Sequence, residues 1–346
     1  MYRRVPPKKV LGLILHGFEL ILTRNNLIWL FSIVCVILCS CSNSNVKIIE
    51  FDNIRPLKAE LVDLNEILSP DFLTLKGGNL VISSSQSRPS MLFVYSTPSL
   101  EFMSDFGIKG RGPGEIQLFP MFCESPGSKD LYVWGYSPVT MKKIEILENR
   151  EIEYKEDITL KGYETFNNMT IIGDSVFVYY LPDDLTVKKY NLENKNESSI
   201  ILPKDNHRES FFYSNRGYIA SSQSVLVYSY LFKKQIDIYD LPTLKLKTRI
   251  GDGVKYPKPT PGDFSSVTYH YVGLYTGERY FYALYDGKLG GVNRSLFLEV
   301  YDYDGNPVMK YSFDIHPILF VVDERNGKIY GFNEEYEDNL LRYNIE

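Results

Sequence analysis

Few residues of this 346-residue chain are spaced for chemistry. Beyond position 45 there are three histidines, His207, His270 and His316, and no two stand at metal-ligand spacing. The patterns G-x-S-x-G and H-E-x-x-H are absent, as is a phosphate loop. Asp302-Tyr303-Asp304-Gly305-Asn306 opens like a calcium loop, but its twelfth position, where a bidentate acid belongs, is Phe313. Asp-Gly between two alternating segments reads instead as a hairpin turn. The acidic run Glu334, Glu335, Glu337 and Asp338 reads as a solvated loop. Two binding-type arrangements remain. In the loop Gly110-Arg111-Gly112-Pro113-Gly114-Glu115, Arg111 and successive backbone N–H groups could hold an anion. The plainer reading is a tight crossover in which Arg111 or Glu115 pairs with a neighbouring strand. His270 stands between Tyr269 and Tyr271, a titratable imidazole in an aromatic run suited to stacking on sugars. The plainer reading there is ordinary strand composition. No metal or cofactor is called for.

The elements that carry these residues repeat. Residues 92–115 and 236–263 each run apolar strand, Tyr, short turn with Pro, second alternating strand, Gly, and a Gly/Pro-rich loop. Tyr95 and Tyr239 are each followed by Pro at three residues, an apolar residue at five and at seven, and Gly at twelve. Weaker copies place further markers at Ile144, Tyr190, Tyr301 and Tyr343, so that successive separations are 49, 46, 49, 62 and 42 residues. A period near fifty is that of a four-stranded propeller blade. The expectation is an all-β, six-bladed propeller of four-stranded antiparallel blades over residues 46–346. Blade one begins near Phe72, and the chain ends one strand short in blade six. The unassigned strand 46–51 (VKIIEF) is expected to complete that blade and so close the ring, leaving no free sheet edge. Residues 61–68 carry the one helix-like signal, a turn or two.

Composition agrees: 27 Tyr, 24 Gly and 18 Pro suit strands and turns better than helices. The net charge of −5 and the lack of a basic stripe argue against nucleic acid as a partner.

Residues 1–41 read as an address. A basic start and a twelve-residue apolar run, 27–38, are parts of a secretory signal, the run being too short to span a bilayer. Leu38-Cys39-Ser40-Cys41 resembles the bacterial lipobox, which implies cleavage before Cys41 and lipidation of its sulfur. The basic stretch before Arg24 is an extended leader or follows from a misplaced start; the sequence leaves both open. Residues 42–45 (SNSN) make a short tether. With Cys35 and Cys39 in the signal and Cys41 lipidated, only Cys123 remains, and no disulfide is possible within the mature chain. Asp174-Ser175-Val176 matches a short O-glycosylation pattern, a weak signal at three residues.

The lipobox, the six repeats and the G-R-G-P-G-E loop together resemble the six-bladed, TolB-like propeller lipoproteins of Bacteroidota. The resemblance covers about 300 residues, and Ile116 stands where Phe often follows the loop. It implies the propeller fold and an outer-membrane location through the lipid anchor, with the periplasmic or surface side open. It carries over no catalytic residue. The expected function is a monomeric, non-enzymatic scaffold binding a glycan, a peptide or an envelope protein. The alternative is a carbohydrate-active lyase or hydrolase whose scattered residues meet in the central funnel.

Overall fold

The computed structural model describes residues 46–346 except 88, 113, 117–118, 136–139, 148–150, 160–166, 291–294, 338 and 346. The expected signal, Cys41 and the 42–45 tether lie outside the described residues. Val46–Glu346 forms one compact unit.

Six sheets account for nearly all of it. Blade one is Phe72–Lys76, Asn79–Ser83, Ser90–Ser96 and Phe102–Ile108, each strand antiparallel to the next. Blades two, three, four and five open with Met121–Cys123, Asn167–Ile172, Gly217–Ser221 and Thr268–Thr276. Blade six opens with Leu319–Asp323. These first strands lie against one another around the ring, with Leu319–Asp323 returning to Phe72–Lys76. They are the innermost strands.

The middle strands are buried almost along their length, as in Val225–Tyr230. Both faces of a blade are covered by its neighbours, so these strands read as continuous apolar runs rather than as alternation. The outermost strands are largely exposed, as in Glu197–Ile201. The core is accordingly divided, with one cluster at each interface between adjacent blades and a seventh, smaller one formed by Phe212, Leu231, Phe232 and Val267. Tyr132 and Trp134 meet Phe177 between blades two and three. Ile236 and Ile238 meet Phe281 between blades four and five. Tyr330 and Leu340 meet Leu80 and Tyr95 where blade six meets blade one.

All six repeat markers fall on the third strand of a blade. In blades one, two, four and five the ladder to the fourth strand slips at the marker itself, a bulge that sharpens the local twist. The repeated Gly at twelve serves two ends. Gly107 has φ of 77°, a left-handed conformation that other residues rarely adopt. At Gly251 a Cβ would lie 2.5 Å from the Lys234 carbonyl oxygen.

Closure is made by an N-terminal strand, but not by 46–51. Glu60–Asp63 pairs antiparallel with Asn339–Asn344 and supplies the outer strand of blade six. The helix-like spacing of 61–68 arises because Leu64 and Ile67, in the turn after that strand, both plug the core between blades six and one. Lys47–Ile48 instead adds a fifth, parallel strand outside blade four, and Ile54–Leu57 does the same outside blade five. Between them Ile49 enters the core of blades four and five, and Phe51 meets Tyr301 edge-on at 5.4 Å. The N-terminal stretch is thus a belt along the outer edges of three successive blades.

Candidate functional site

The innermost strands of blades one, two, four, five and six end in, or just before, a polar residue at the same end of the ring. Five of the six blades therefore surround a cavity of about 1000 Å³ at the mouth of the central channel. Blade one brings Lys76, blade two Glu124 and Ser125, blade four Ser221 and Gln223, blade five Tyr275, and blade six Asp323 and Glu324. Gly127 in this wall has φ of 80°, a left-handed conformation that favours glycine, and the Gln223 amide packs over it.

Most of the charge at the mouth is already satisfied. The Lys76 ammonium donates to the Ser125 carbonyl (3.0 Å), the Ser125 hydroxyl (2.6 Å) and the Ser128 carbonyl (3.0 Å), which uses all three of its N–H groups. Glu324 accepts from the backbone N–H groups of Arg279 and Tyr280 and from the Tyr282 hydroxyl. Asp323 accepts from the backbone and side chain of Asn326. Arg325 is paired with Glu278, and Glu145 with Lys155.

Glu124 differs. One carboxylate oxygen accepts from the Thr74 hydroxyl at 3.1 Å, its one donor among the described residues. The group lies deep but opens on the cavity. Burial pushes its carboxyl above the usual range, against the pull of the nearby Lys76 ammonium and the Thr74 hydroxyl. Burial likewise lowers Lys76, with Glu124 and Asp130 opposing. The Tyr275 hydroxyl is held well above its ordinary value, first by burial and then by the charges of Glu124 and Glu324. Ser221 is 1% exposed and its hydroxyl has no hydrogen-bond partner.

The residues singled out from the sequence lie elsewhere. The loop carrying Arg111 and Glu115 joins the outer strand of blade one to the inner strand of blade two, at the opposite end of the ring from the mouth. The Glu115 carboxylate folds back onto the Gly112 N–H at 2.7 Å, and the Gly112 carbonyl accepts from the Glu115 N–H and from the Lys142 ammonium. Arg111 is exposed.

His270 is the third residue of its strand, five before Tyr275, or roughly 16 Å along it. It is 3% exposed, stands edge-on to Tyr256 at 4.4 Å, and neither ring nitrogen has a hydrogen-bond partner. Burial lowers it to about 4, with Asp252 opposing and Lys234 assisting. Tyr269 lies against Phe232. Tyr271 is in the core between blades four and five, donating to Glu299. The structure does not bring these three into one pocket, and no arginine or carboxylate bonds His270. The Asp302 segment is a turn in which its carboxylate accepts from Asp304 and Asn306. Among the described residues no three His, Cys, Asp or Glu side chains are grouped to hold a metal ion, and no helix is long and apolar enough to cross a membrane.

Two buried acid centres were not foreseen. Asp237, in the core between blades three and four, accepts from Tyr230 (2.9 Å), Tyr239 (3.2 Å) and Arg249 (2.7 and 2.6 Å). Glu299, one interface on, accepts from Tyr271 (3.1 Å), Tyr301 (2.7 Å) and Lys310 (2.9 Å). In both, an acid two residues before the marker Tyr meets a cation on the fourth strand. That D-x-Y or E-x-Y pattern is the signal that could have revealed them.

A family model described as TolB-like 6-blade propeller-like matches residues 50–325. No curated protein matches the sequence. Among solved structures, the chain is similar to a Bacteroides fragilis protein described as exported (12% identity, TM-score 0.57, covering 86% of this chain and 98% of that one). It is also similar to a Bacteroides vulgatus member of the DUF4221 family (13% identity, TM-score 0.54, covering 83% and 97%). At such identities the likeness shows the fold alone.

Proposed function

The chain belongs to the TolB-like six-bladed propeller family, and we propose on that footing that it is an envelope lipoprotein, anchored through Cys41, whose propeller binds a ligand at the channel mouth. The observation that carries the binding role is the cavity itself. It has the size of a small-molecule or peptide-residue site. Most of its charged side chains are fixed by their own partners, yet three polar groups from three blades, Glu124, Ser221 and Tyr275, keep unused hydrogen-bonding capacity. A rigid ring with pre-formed polar walls binds at little conformational cost.

The test is a panel of glycans and short peptides offered to the purified protein and to Gln223→Trp, which fills the mouth. Binding that the variant abolishes supports the reading; ligands that bind both forms alike would place the site elsewhere and refute it. For the anchor, mass spectrometry of the membrane-extracted protein should find a diacylglyceryl group on Cys41, and Cys41→Ala should release the protein from membranes.

A catalytic reading has one observation in its favour: a deep carboxyl pushed upward at the wall of a cleft is the form a general acid takes. Turnover of a polysaccharide lost in Glu124→Gln would favour it over simple binding.

A further inference from the structure

We infer that the channel mouth takes a primary ammonium group, held by Glu124 as the charged acceptor, with the Tyr275 and Ser221 hydroxyls as further acceptors. This rests on the reading of the mouth as a binding site. The argument begins with a deficit. A carboxylate set deep in a cavity wall is best held by several donors or a counter-charge, and among the described residues Glu124 has one neutral donor, Thr74. The nearest cation, Lys76, has spent its three N–H groups on Ser125 and Ser128 and gives none to Glu124. The Ser221 hydroxyl, in the same wall, is buried without a partner. Among the described residues no protein group bonds the Tyr275 hydroxyl, which lies in the field of Glu124.

The chemistry of the missing partner follows. Among the described residues Glu145, Glu278 and Glu324 have cationic partners in Lys155, Arg325 and Arg279, and Asp323 is held by Asn326, so Glu124 is the acid of the lining left short of donors, which calls for a cation. A hard metal ion would want six or more oxygens including several carboxylates, and no such group is assembled among the described residues. A guanidinium spreads five N–H donors in one plane, whereas the free acceptors here come from three different blades, two, four and five. A primary ammonium carries three N–H donors on a compact charge, matching one carboxylate oxygen and two hydroxyls, and the Tyr275 ring adds a face for the cation. Amine-bearing ligands, such as a lysine side chain, a peptide N-terminus or an amino sugar, share this head.

The experiment is a saturation-transfer NMR titration of the purified protein with n-butylamine, run beside tetramethylammonium and a neutral disaccharide. Butylamine should bind and tetramethylammonium, lacking N–H donors, should not. Glu124→Gln should weaken butylamine about ten- to hundredfold, since a charge-assisted bond is removed. Tyr275→Phe, which keeps the packing, should weaken it severalfold and stands in if the first variant fails to fold. Equal binding of butylamine and tetramethylammonium would overturn the inference, as would an affinity within about twofold in both variants, or no butylamine signal into the millimolar range. A disaccharide that binds, is blocked by Gln223→Trp and competes with no amine would overturn the ammonium assignment while leaving the mouth a binding site. Failure of the mouth itself is distinct: Gln223→Trp would then change the binding of nothing.

Discussion

Replacing Lys310 with Met tests whether the buried acid centres are cation-dependent parts of the core. Glu299 is fully buried, and Lys310 supplies the one donor to its Oε1 at 2.9 Å, while Tyr271 and Tyr301 share Oε2. Methionine keeps most of the stem volume but leaves a buried carboxylate without its counter-charge, which costs about 3–5 kcal/mol. The ammonium also lies 4.6 Å from the centre of the Phe297 ring and 5.1 Å from that of Tyr285, contacts worth about 1 kcal/mol more. Adding Glu299→Gln to Lys310→Met should recover about half of the loss, because the naked charge is gone while the two tyrosines keep an acceptor. The control is Arg325→Met, which breaks a pair with Glu278 whose side chains are 76% and 60% exposed and should cost under about 1 kcal/mol. The assay is urea unfolding followed by intrinsic fluorescence, with midpoints compared at unchanged slope. If Lys310→Met costs no more than Arg325→Met, or if Glu299→Gln brings no recovery, the reasoning about these centres is wrong.

Three further perturbations have defined outcomes. His270 is held near 4 by burial, against an ordinary 6.5. Between those values the unfolded chain binds a proton that the native state refuses, so stability falls as pH drops through 6.5 towards 4, by about 3 kcal/mol in all. His270→Phe should flatten the acid limb of unfolding midpoint against pH. At Gly110 a Cβ would lie 2.0 Å from the Glu115 carboxylate; Gly110→Ala should cost about 1–2 kcal/mol by dislodging Glu115 from the Gly112 N–H, and the cost should vanish in a Glu115→Ala background, as read by thermal melts of the double-mutant cycle. A chain begun at Asp52 loses the Lys47–Ile48 pairing and the core contacts of Ile49 and Phe51 but keeps the closing strand, and should stay monomeric by size-exclusion chromatography, whereas one begun at Leu64 uncovers the Asn339–Asn344 edge and should aggregate.

How far the sequence reaches depends on which constraint a residue obeys. The markers Tyr95, Ile144, Tyr190, Tyr239, Tyr301 and Tyr343 were legible because each answers to its own blade: a third strand, packed between neighbours and followed by a turn, imposes the same local demands six times over. The closing strand was misread for a local reason as well. In 60–68 (ELVDLNEIL) the apolar residues fall at 61, 62, 64, 67 and 68, and the 61, 64, 68 spacing is helical, though a short strand followed by a plugged turn produces it equally well. Pattern alone cannot separate the two when Leu64 and Ile67 are buried by a turn rather than by a helix face. The mouth was illegible for a different reason. Lys76, Glu124, Ser221 and Tyr275 occur near the ends of short apolar strands, where a polar residue is unremarkable, and nothing within each blade distinguishes them. Their significance is the closure of the ring, which sets four such ends around one cavity, and the arithmetic of donors, which leaves Glu124 short while Lys76, Asp323 and Glu324 are satisfied. A propeller of this kind thus hides its binding chemistry from sequence: the fold repeats with the blade, while a ligand at the axis meets one or two residues from each, tens of positions apart and unlike in type.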